Sequence, residues 1–274
     1  DLGFKKNKIY SVPPNSLLKI EINNKFKITN YKLLRKFNFN SKKKTTYQDF
    51  ALAFRNAIKK RTSNLNKKIF LGLSSGHDSG LIAAELNKLK KPFSAYPVFY
   101  GEKKEILKDR IKILRKNKRI KIKRLIITNK SKAIIKKHLK NYAPYINVDI
   151  DREKTFGKNG DFRNLSGFIS TAYICSVAKK NNEKVMLTGQ GADEIISDYY
   201  NMYSNSKKSC LKGDWSKATK PWRNFYGGWN AAFLAANESL GGSYGLEIRY
   251  PFLDYELVQS FLSLPNKLKA KIYK

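Results

Sequence analysis

Apolar residues in this chain recur at two spacings, and the change from one to the other marks its elements. Leu17 to Ile22 and Phe26 to Tyr31 are β-rich runs with partial alternation on either side of Asn23-Asn24, residues that tolerate positive φ, so a hairpin is expected. Val12-Pro13-Pro14-Asn15 ahead of it reads as a rigid turn. Tyr47, Phe50, Phe54, Ala57 and Ile58 then follow helical spacing behind Thr46 and Asp49, which are placed like a capping box. The pattern predicts a helix over roughly 47–61.

Ile69 to Leu73 is a short apolar run, read as a buried strand, and it passes into Ser74-Ser75-Gly76-His77-Asp78-Ser79-Gly80. Ile82, Leu86 and Leu89 stand at i, i+4 and i+7 behind that turn, so the turn opens a helix. Phe93 to Tyr100 predicts a second strand, the strongly basic stretch 103–122 a helix, and Leu125 to Thr128 a further short strand. Strands and helices in this alternation predict a parallel sheet. Residues 148–168 read as a loop, because Gly157, Asn159, Gly160 and Asp161 crowd together there. Ile169, Ala172, Tyr173 and Val177 form another helical face. Val185 to Leu187 is a strand that runs into Thr188-Gly189-Gln190-Gly191-Ala192-Asp193-Glu194, so a turn of small residues after a strand occurs twice. No repeat, low-complexity block or linker divides residues 46–262, which are read as one domain; residues 1–45 form a hairpin arm ahead of it.

Composition narrows the class. Of 274 residues, 41% are apolar and 13% aromatic, which argues against a disordered basic tail. No run of 18 apolar residues and no signal-peptide pattern is present, so a soluble, cytoplasmic protein with no membrane partner is expected. Cys175, Cys210, His77 and His138 are too few and too far apart for a disulfide framework or a zinc site. Lys and Arg number 56 against 21 Asp and Glu, a net charge of +35. Such a charge suits nucleic acid or another polyanion. The lysine runs are spread through every third of the chain, however, which favours a general compositional bias over a nucleic-acid partner. The chain begins at Asp1 rather than Met, which reads as processing or as part of a longer protein.

The two turns carry the chemistry. A strand ending in small residues lets backbone amides approach a phosphate, and the helix that follows adds unsatisfied N–H groups and the positive end of its dipole. Ser74, Ser75, Gly76 and Ser79 suit this role; Asp78 suits it if Mg²⁺ bridges its carboxylate to phosphate oxygens. A plain Ser/Gly turn in which Asp78 caps a helix would read the same way. Thr188 to Glu194 again places carboxylates after glycines at a strand end, where open α/β sheets bind ligands, or else places acids at a helix N-terminus to complement its dipole.

Leu73 to Ser79 resembles the pyrophosphate loop of N-type ATP pyrophosphatases, Ser-Gly-Gly-x-Asp-Ser, and Leu187 to Glu194 resembles the Ser-Gly-x-Gly-x-Asp-Glu loop of asparagine synthetases. Gly245 to Asp254, with Glu247, Arg249 and Pro251-Phe252-Leu253-Asp254, is similar to the Glu-x-Arg-x-Pro-Phe-Leu-Asp signature of the same family. Three motifs in order over about 180 residues make the resemblance specific. It implies a parallel sheet with helices on both faces, of the adenine-nucleotide alpha-hydrolase-like (PP-loop) kind. It also implies a synthetase domain over 46–274, continuing beyond this chain, that adenylates a carboxylate with ATP and Mg²⁺ and then forms an amide, aspartate to asparagine by default. Leu73, Ser74, Ser75, Gly76, Asp78, Ser79, Thr188 and Gly189 would hold nucleotide, with Val98 against adenine; Asp78 and Asp193 would bind metal; Gln190 and Asp193 would stand at catalytic positions. Val12 to Asn15 resembles the passage from an N-terminal glutaminase domain, a possible partner that would supply the amine.

Two departures bear on the substrate. Ser75 replaces the first glycine of the pair, and Gln190 stands where asparagine synthetases often carry Glu. The third motif reads as structural: Asp254 caps a helix carrying Leu257, Val258, Phe261 and Leu262, Pro251 fixes the turn, and Arg249 pairs with Glu247 or Glu256. Relatives continue past Asp254 and supply a lysine to the phosphates, so the chain as it stands is expected to bind ATP but to catalyse poorly unless Lys271 or Lys274 substitutes. A PP-loop tRNA-modifying enzyme and a noncatalytic polyanion-binding protein on the same fold are the competing readings.

Overall fold

The computed structural model describes residues 16–22, 26–38, 46–99, 102–143, 161–193 and 228–265, and Leu268. Val12 to Asn15, Glu194, Cys210, Lys271 and Lys274 lie outside the described residues. The expected hairpin is present, with β1 (Ser16–Ile22) antiparallel to β2 (Phe26–Leu33). Helix α1 (Gln48–Thr62) follows, then β3 (Ile69–Leu73), α2 (His77–Lys88), β4 (Phe93–Pro97), α3 (Lys104–Arg115) and β5 (Ile120–Ile122). Beyond these come α4 (Asn129–Tyr142), α5 (Ser166–Lys180), β6 (Val185–Leu187), α6 (Gly228–Ser243), β7 (Glu247–Arg249) and α7 (Tyr255–Leu262).

Strands β3 to β7 form a parallel sheet in the order β5-β4-β3-β6-β7. Both faces are buried, and the pleat divides the strand residues between two cores. Ile69, Leu71 and Leu73 of β3, Phe93 and Ala95 of β4 and Leu187 of β6 pack with Ile58, Ile82, Leu86, Leu107 and Val258, so α1, α2, α3 and α7 cover one face. Phe70, Tyr96, Met186 and Ile248 point the other way onto Leu139, Ala172, Cys175 and Leu240, so α4, α5 and α6 cover the second. Ile82, Leu86, Leu107 and Leu139 are fully buried, and each contributes about 2 kcal/mol of apolar transfer to holding a helix on the sheet. The fold is therefore the α/β parallel sheet with helices on both faces that the sequence implied.

Three expectations need correction. The helix of the basic stretch ends at Arg115, and the third strand is Ile120–Ile122, not Leu125–Thr128. Arg119-Ile120-Lys121-Ile122-Lys123 alternates with period two, Ile120 and Ile122 turning toward the core, and the surrounding lysines had hidden that alternation inside a helical reading. Leu125 makes only a single bridge to Val98, and Thr128 caps α4 through a reciprocal pair with Ser131. Of the loop assigned to 148–168, residues 148–160 lie outside the described residues, and the rest gives way to a 3₁₀ turn at Phe162–Asn164 and to α5 from Ser166.

The third motif ties the end of the sheet to the first helix. Asp254 is 6% exposed, and its Oδ1 accepts from the Glu256 amide at 3.1 Å, capping α7 as the sequence indicated. Its other partners come from α1: Arg61 Nη1 at 3.0 Å and Lys60 Nζ at 3.2 Å. Arg249 pairs with Glu247 at 2.7 Å and donates to the Arg61 carbonyl at 2.6 Å. Burial alone would raise the Asp254 pKa, but hydrogen bonds and charge from Arg61 and Lys60 outweigh it and hold the carboxyl below its usual value. A depressed carboxylate pKa gives stability that is full above the unfolded value, near 4, and is lost as pH falls through the lower folded one. Asp254→Asn is expected to cost about 2 kcal/mol at neutral pH and to flatten the acid limb of a pH series of urea melts below about pH 4. An unchanged acid limb would show that the carboxylate does not hold α1 to α7.

Candidate active site

The chain builds β3, β4 and β5 outward in one direction and then returns to place β6 on the other side of β3. Strand order reverses between β3 and β6, and the loops that leave their carboxyl ends diverge there, leaving a crevice that backbone hydrogen bonding cannot close. The loops are the two turns of small residues, Ser74–Gly76 and Thr188–Gly191. A cavity of about 340 Å³ opens between them, within the range of small-ligand sites.

The first loop is held from three sides. Ser74 and Ser79 hydroxyls lie 2.7 Å apart, and the Ser79 hydroxyl also accepts from the Ser74 amide at 3.1 Å. The Gly76 amide donates to Ser74 Oγ at 3.1 Å. Arg110 of α3 passes beneath the loop and donates to the Ser74 and Gly76 carbonyls at 2.5 and 2.6 Å. It fits there because residue 80 is glycine: a Cβ at Gly80 would stand 2.6 Å from the guanidinium carbon. Gly76 caps α2 without offering a side-chain acceptor, so the first turn of α2 keeps amides for an incoming anion.

The second loop is braced by backbone. Thr188 donates its amide to the Arg249 carbonyl at 3.1 Å, the Gln190 amide meets Thr188 Oγ1 at 3.3 Å, and the Ala192 amide closes a turn on the Gly189 carbonyl at 3.1 Å. Gly191 has φ +98°, a conformation that favours glycine, and sits against Leu253. Gly189 meets the other loop directly: a Cβ there would lie 2.5 Å from the Asp78 Cβ, closer than real Cβ atoms approach.

Of the residues chosen from sequence, Leu73, Ser74, Asp78, Ser79, Val98, Thr188, Gly189 and Gln190 all line the cavity. Ser75 and Gly76 do not: the Ser75 amide donates to Glu102 Oε2 at 2.5 Å, and its hydroxyl donates to the same oxygen. Asp193 is half-buried on the helical turn after Gly191 and does not line the cavity. Of the two histidines, His77 is exposed, and His138 stacks on Tyr244 at 4.1 Å, where burial lowers its pKa. Cys175 is fully buried, and burial pushes its thiol up to about 12.

Sequence reasoning missed the third wall. Ser166, Gly167, Ser170 and Thr171, at the start of α5, face the two loops, and Tyr96 closes the floor. Ser and Gly opening a helix after a polar loop were the available signal. Glu102 and Arg110 gave none, being single charges in a basic stretch.

A family model described as asparagine synthase matches residues 49–240, which span both loops and the cavity between them. This chain belongs to the asparagine synthase family. It is 27% identical over 277 residues to "Putative asparagine synthetase (glutamine-hydrolyzing) 1" of Methanocaldococcus jannaschii, covering 98% of this chain and 46% of that protein. The chain thus spans about half the length of the curated relative it matches. A solved NMN synthetase from Francisella tularensis superposes with a TM-score of 0.38 at 14% identity over 57% of this chain and 59% of that one, too loose a match to argue from. Membership of the asparagine synthase family implies use of ATP, and the donor set fits a magnesium nucleotide. Hydroxyls and uncapped amides offer hydrogen bonds to phosphate, while the carboxylates of Asp78 and Glu102, which also line the cavity, would repel a bare triphosphate. Among the described residues no group of three or more His, Cys, Asp or Glu could hold a metal by itself.

The contact of Gly189 with Asp78 gives a sharp test. Gly189→Ala is expected to push the loops apart at an overpacking cost of about 1–3 kcal/mol and to weaken ATP binding roughly tenfold or more, measured by calorimetric titration. Gly242→Ala, where an added Cβ meets nothing within 4 Å, is the matched control and should bind ATP normally. Equal affinity in both variants would mean that the loops do not act as one site.

Proposed function

We propose that this protein activates a carboxylate with ATP, releasing pyrophosphate, and transfers the acyl group to an amine to form an amide, with aspartate and ammonia as the default pair. The observation that supports this reading is the joining of two phosphate-type loops across the strand-order reversal, with a carboxylate, Asp78, in the first turn of α2. In the reaction an oxygen of the substrate carboxylate attacks the α-phosphorus, pyrophosphate leaves, and the amine then displaces AMP from the acyl carbon. Membership of the asparagine synthase family supports this reading over a tRNA-modifying one.

The residues divide the work by position. Ser74 and Ser79 hydroxyls and the first amides of α2 bind the departing pyrophosphate, and the helix dipole favours the charge that develops on it. Val98, with Ile174 and Met186 of the same core, gives the apolar part of the lining against which a base can lie. Thr188, Gly189 and Gln190 line the cavity from the second loop and orient the acyl adenylate. Asp78 would hold Mg²⁺ together with phosphate oxygens, and Asp193, which follows the second loop, is the further carboxylate proposed for the metal. The metal supplies charge neutralisation, without which a carboxylate anion is opposed by the triphosphate in a low-dielectric site. Gln190 fills a position where a carboxylate is usual, so it can hold the acyl substrate or the amine by hydrogen bonds but cannot act as a base. A glutaminase domain elsewhere in the same protein or in another chain would deliver the amine.

Formation of AMP and pyrophosphate by the intact protein, dependent on both ATP and aspartate, is the direct assay. Asp78→Asn and Asp193→Asn should each lower turnover by about 10² to 10³, the scale for losing one preorganised electrostatic contact. If both variants kept full turnover, the assignment of metal and phosphate to these loops would fail. If aspartate gave no stimulation but another carboxylate did, the reaction class would stand and the default substrate would not.

A further inference from the structure

The opposite pole of the sheet holds a larger cavity, about 690 Å³, which the reaction above does not use. It lies at the amino ends of the parallel strands, where Ile69 and Phe93 begin β3 and β4, and the loops entering the sheet converge on it. Lys67 and Lys68 come from the α1–β3 loop, Lys91 from the α2–β4 loop, and Arg119, Lys121 and Lys123 from the β5 segment. The period-two alternation of β5 aims these last three cations away from the core while Ile120 and Ile122 pack toward it.

What sets this cluster apart from the general lysine excess is its placement around a cavity; the lack of a carboxylate partner it shares with most described lysines. Among the described residues no carboxylate pairs with any of the six cations; the Arg119 guanidinium donates to the Lys90 carbonyl, at 3.4 Å, and its backbone amide to Asn117 Oδ1, at 3.0 Å. The single acid lining the cavity, Glu183, is 3% exposed and is engaged on its floor, where it accepts from the Tyr96 hydroxyl at 2.6 Å; that hydroxyl in turn accepts from Asn181 at 2.7 Å. The lining charge is therefore six positive against one negative, a net of +5, around a concavity with a built polar floor. Like charges brought this close repel one another, and a bound polyanion removes the repulsion. The cavity is open on the side of its cations, and its volume fits a small molecule, whereas a nucleic-acid strand would require a groove that tracks its backbone.

We propose that this cavity is a second ligand site, for a small molecule carrying two or more phosphate groups, with the cations on the phosphates and Asn181 and Glu183 facing its uncharged part. Tyr96 borders both cavities, so an occupant here touches a residue that also floors the nucleotide site.

Inorganic tripolyphosphate is the probe, followed by amide chemical shifts and by calorimetric titration of the intact protein. The triple variant Lys68→Ala, Arg119→Ala, Lys121→Ala is compared with the charge-matched triple Lys130→Ala, Lys136→Ala, Lys137→Ala on the exposed face of α4, both verified as folded by thermal melts. The proposal expects wild type to show two classes of site, with shifts at Lys67–Ile69 and Arg119–Lys123 for one of them. That class should weaken about tenfold or more in the first triple and stay intact in the second. Equal weakening in both triples would reduce the cluster to bulk charge and overturn it. Tighter binding of a single-stranded RNA than of tripolyphosphate, lost in the first triple, would also overturn it in favour of a nucleic-acid surface. Because the first class sits on the other pole, failure here leaves the amide-forming reading standing, and failure of that reading leaves this one.

Discussion

The proposed nucleotide site depends on one close approach, the backbone of Gly189 against the first turn of α2 at Asp78. Parallel strands of this order leave a crevice where the order reverses, but a crevice alone is not a site. Only when two turns from neighbouring strands come within van der Waals contact do their amides, hydroxyls and carboxylate address the same small volume. Side chains larger than hydrogen at position 189 forbid that contact. The rest of the local structure serves it: Arg110 holds the first loop from below, and Gly191, with its positive φ, lets the second loop turn back onto Leu253.

The remote end of the sheet contributes through the same loop. The Thr188 amide hangs on the Arg249 carbonyl of β7, and Arg249 is itself fastened to α1 through the Arg61 carbonyl. Asp254 draws Arg61 and Lys60 onto the cap of α7. A motif with no atom in the cavity therefore fixes the height of the second loop. This explains how Glu247, Arg249 and Asp254 can belong to a functional signature while acting through packing and hydrogen bonds alone.

The parts of the site legible in the sequence are those set by neighbours along the chain. Ile69 to Leu73 and Val185 to Leu187 are short apolar runs stopped by Ser and Gly, so the strands and the turns could be read directly, and the family resemblance named eight of the eighteen residues that line the cavity. What was not legible arrives through tertiary structure. Ser166 to Thr171 reach the cavity because α5 packs on β3, and Glu102 reaches Ser75 across 27 positions of sequence. Strand β5 was hidden for another reason: three residues carry too little alternation to stand out in a lysine-rich run, and pairing with β4 rather than propensity decides their conformation. The net charge favoured bias over a polyanion partner, because a sequence shows how many lysines there are and not which of them the loops bring together.

The central claim is that nucleotide lies across the reversal, between the two small-residue turns. Backbone amide shifts of the isotope-labelled protein, recorded on adding a non-hydrolysable ATP analogue with Mg²⁺, test it most directly. The account predicts the largest perturbations at Gly72–Gly80 and Leu187–Gly191, with Val98 alongside them. Perturbations centred instead on Lys67–Ile69 and Arg119–Lys123, with the two turns unmoved, would place the nucleotide at the other pole and contradict it.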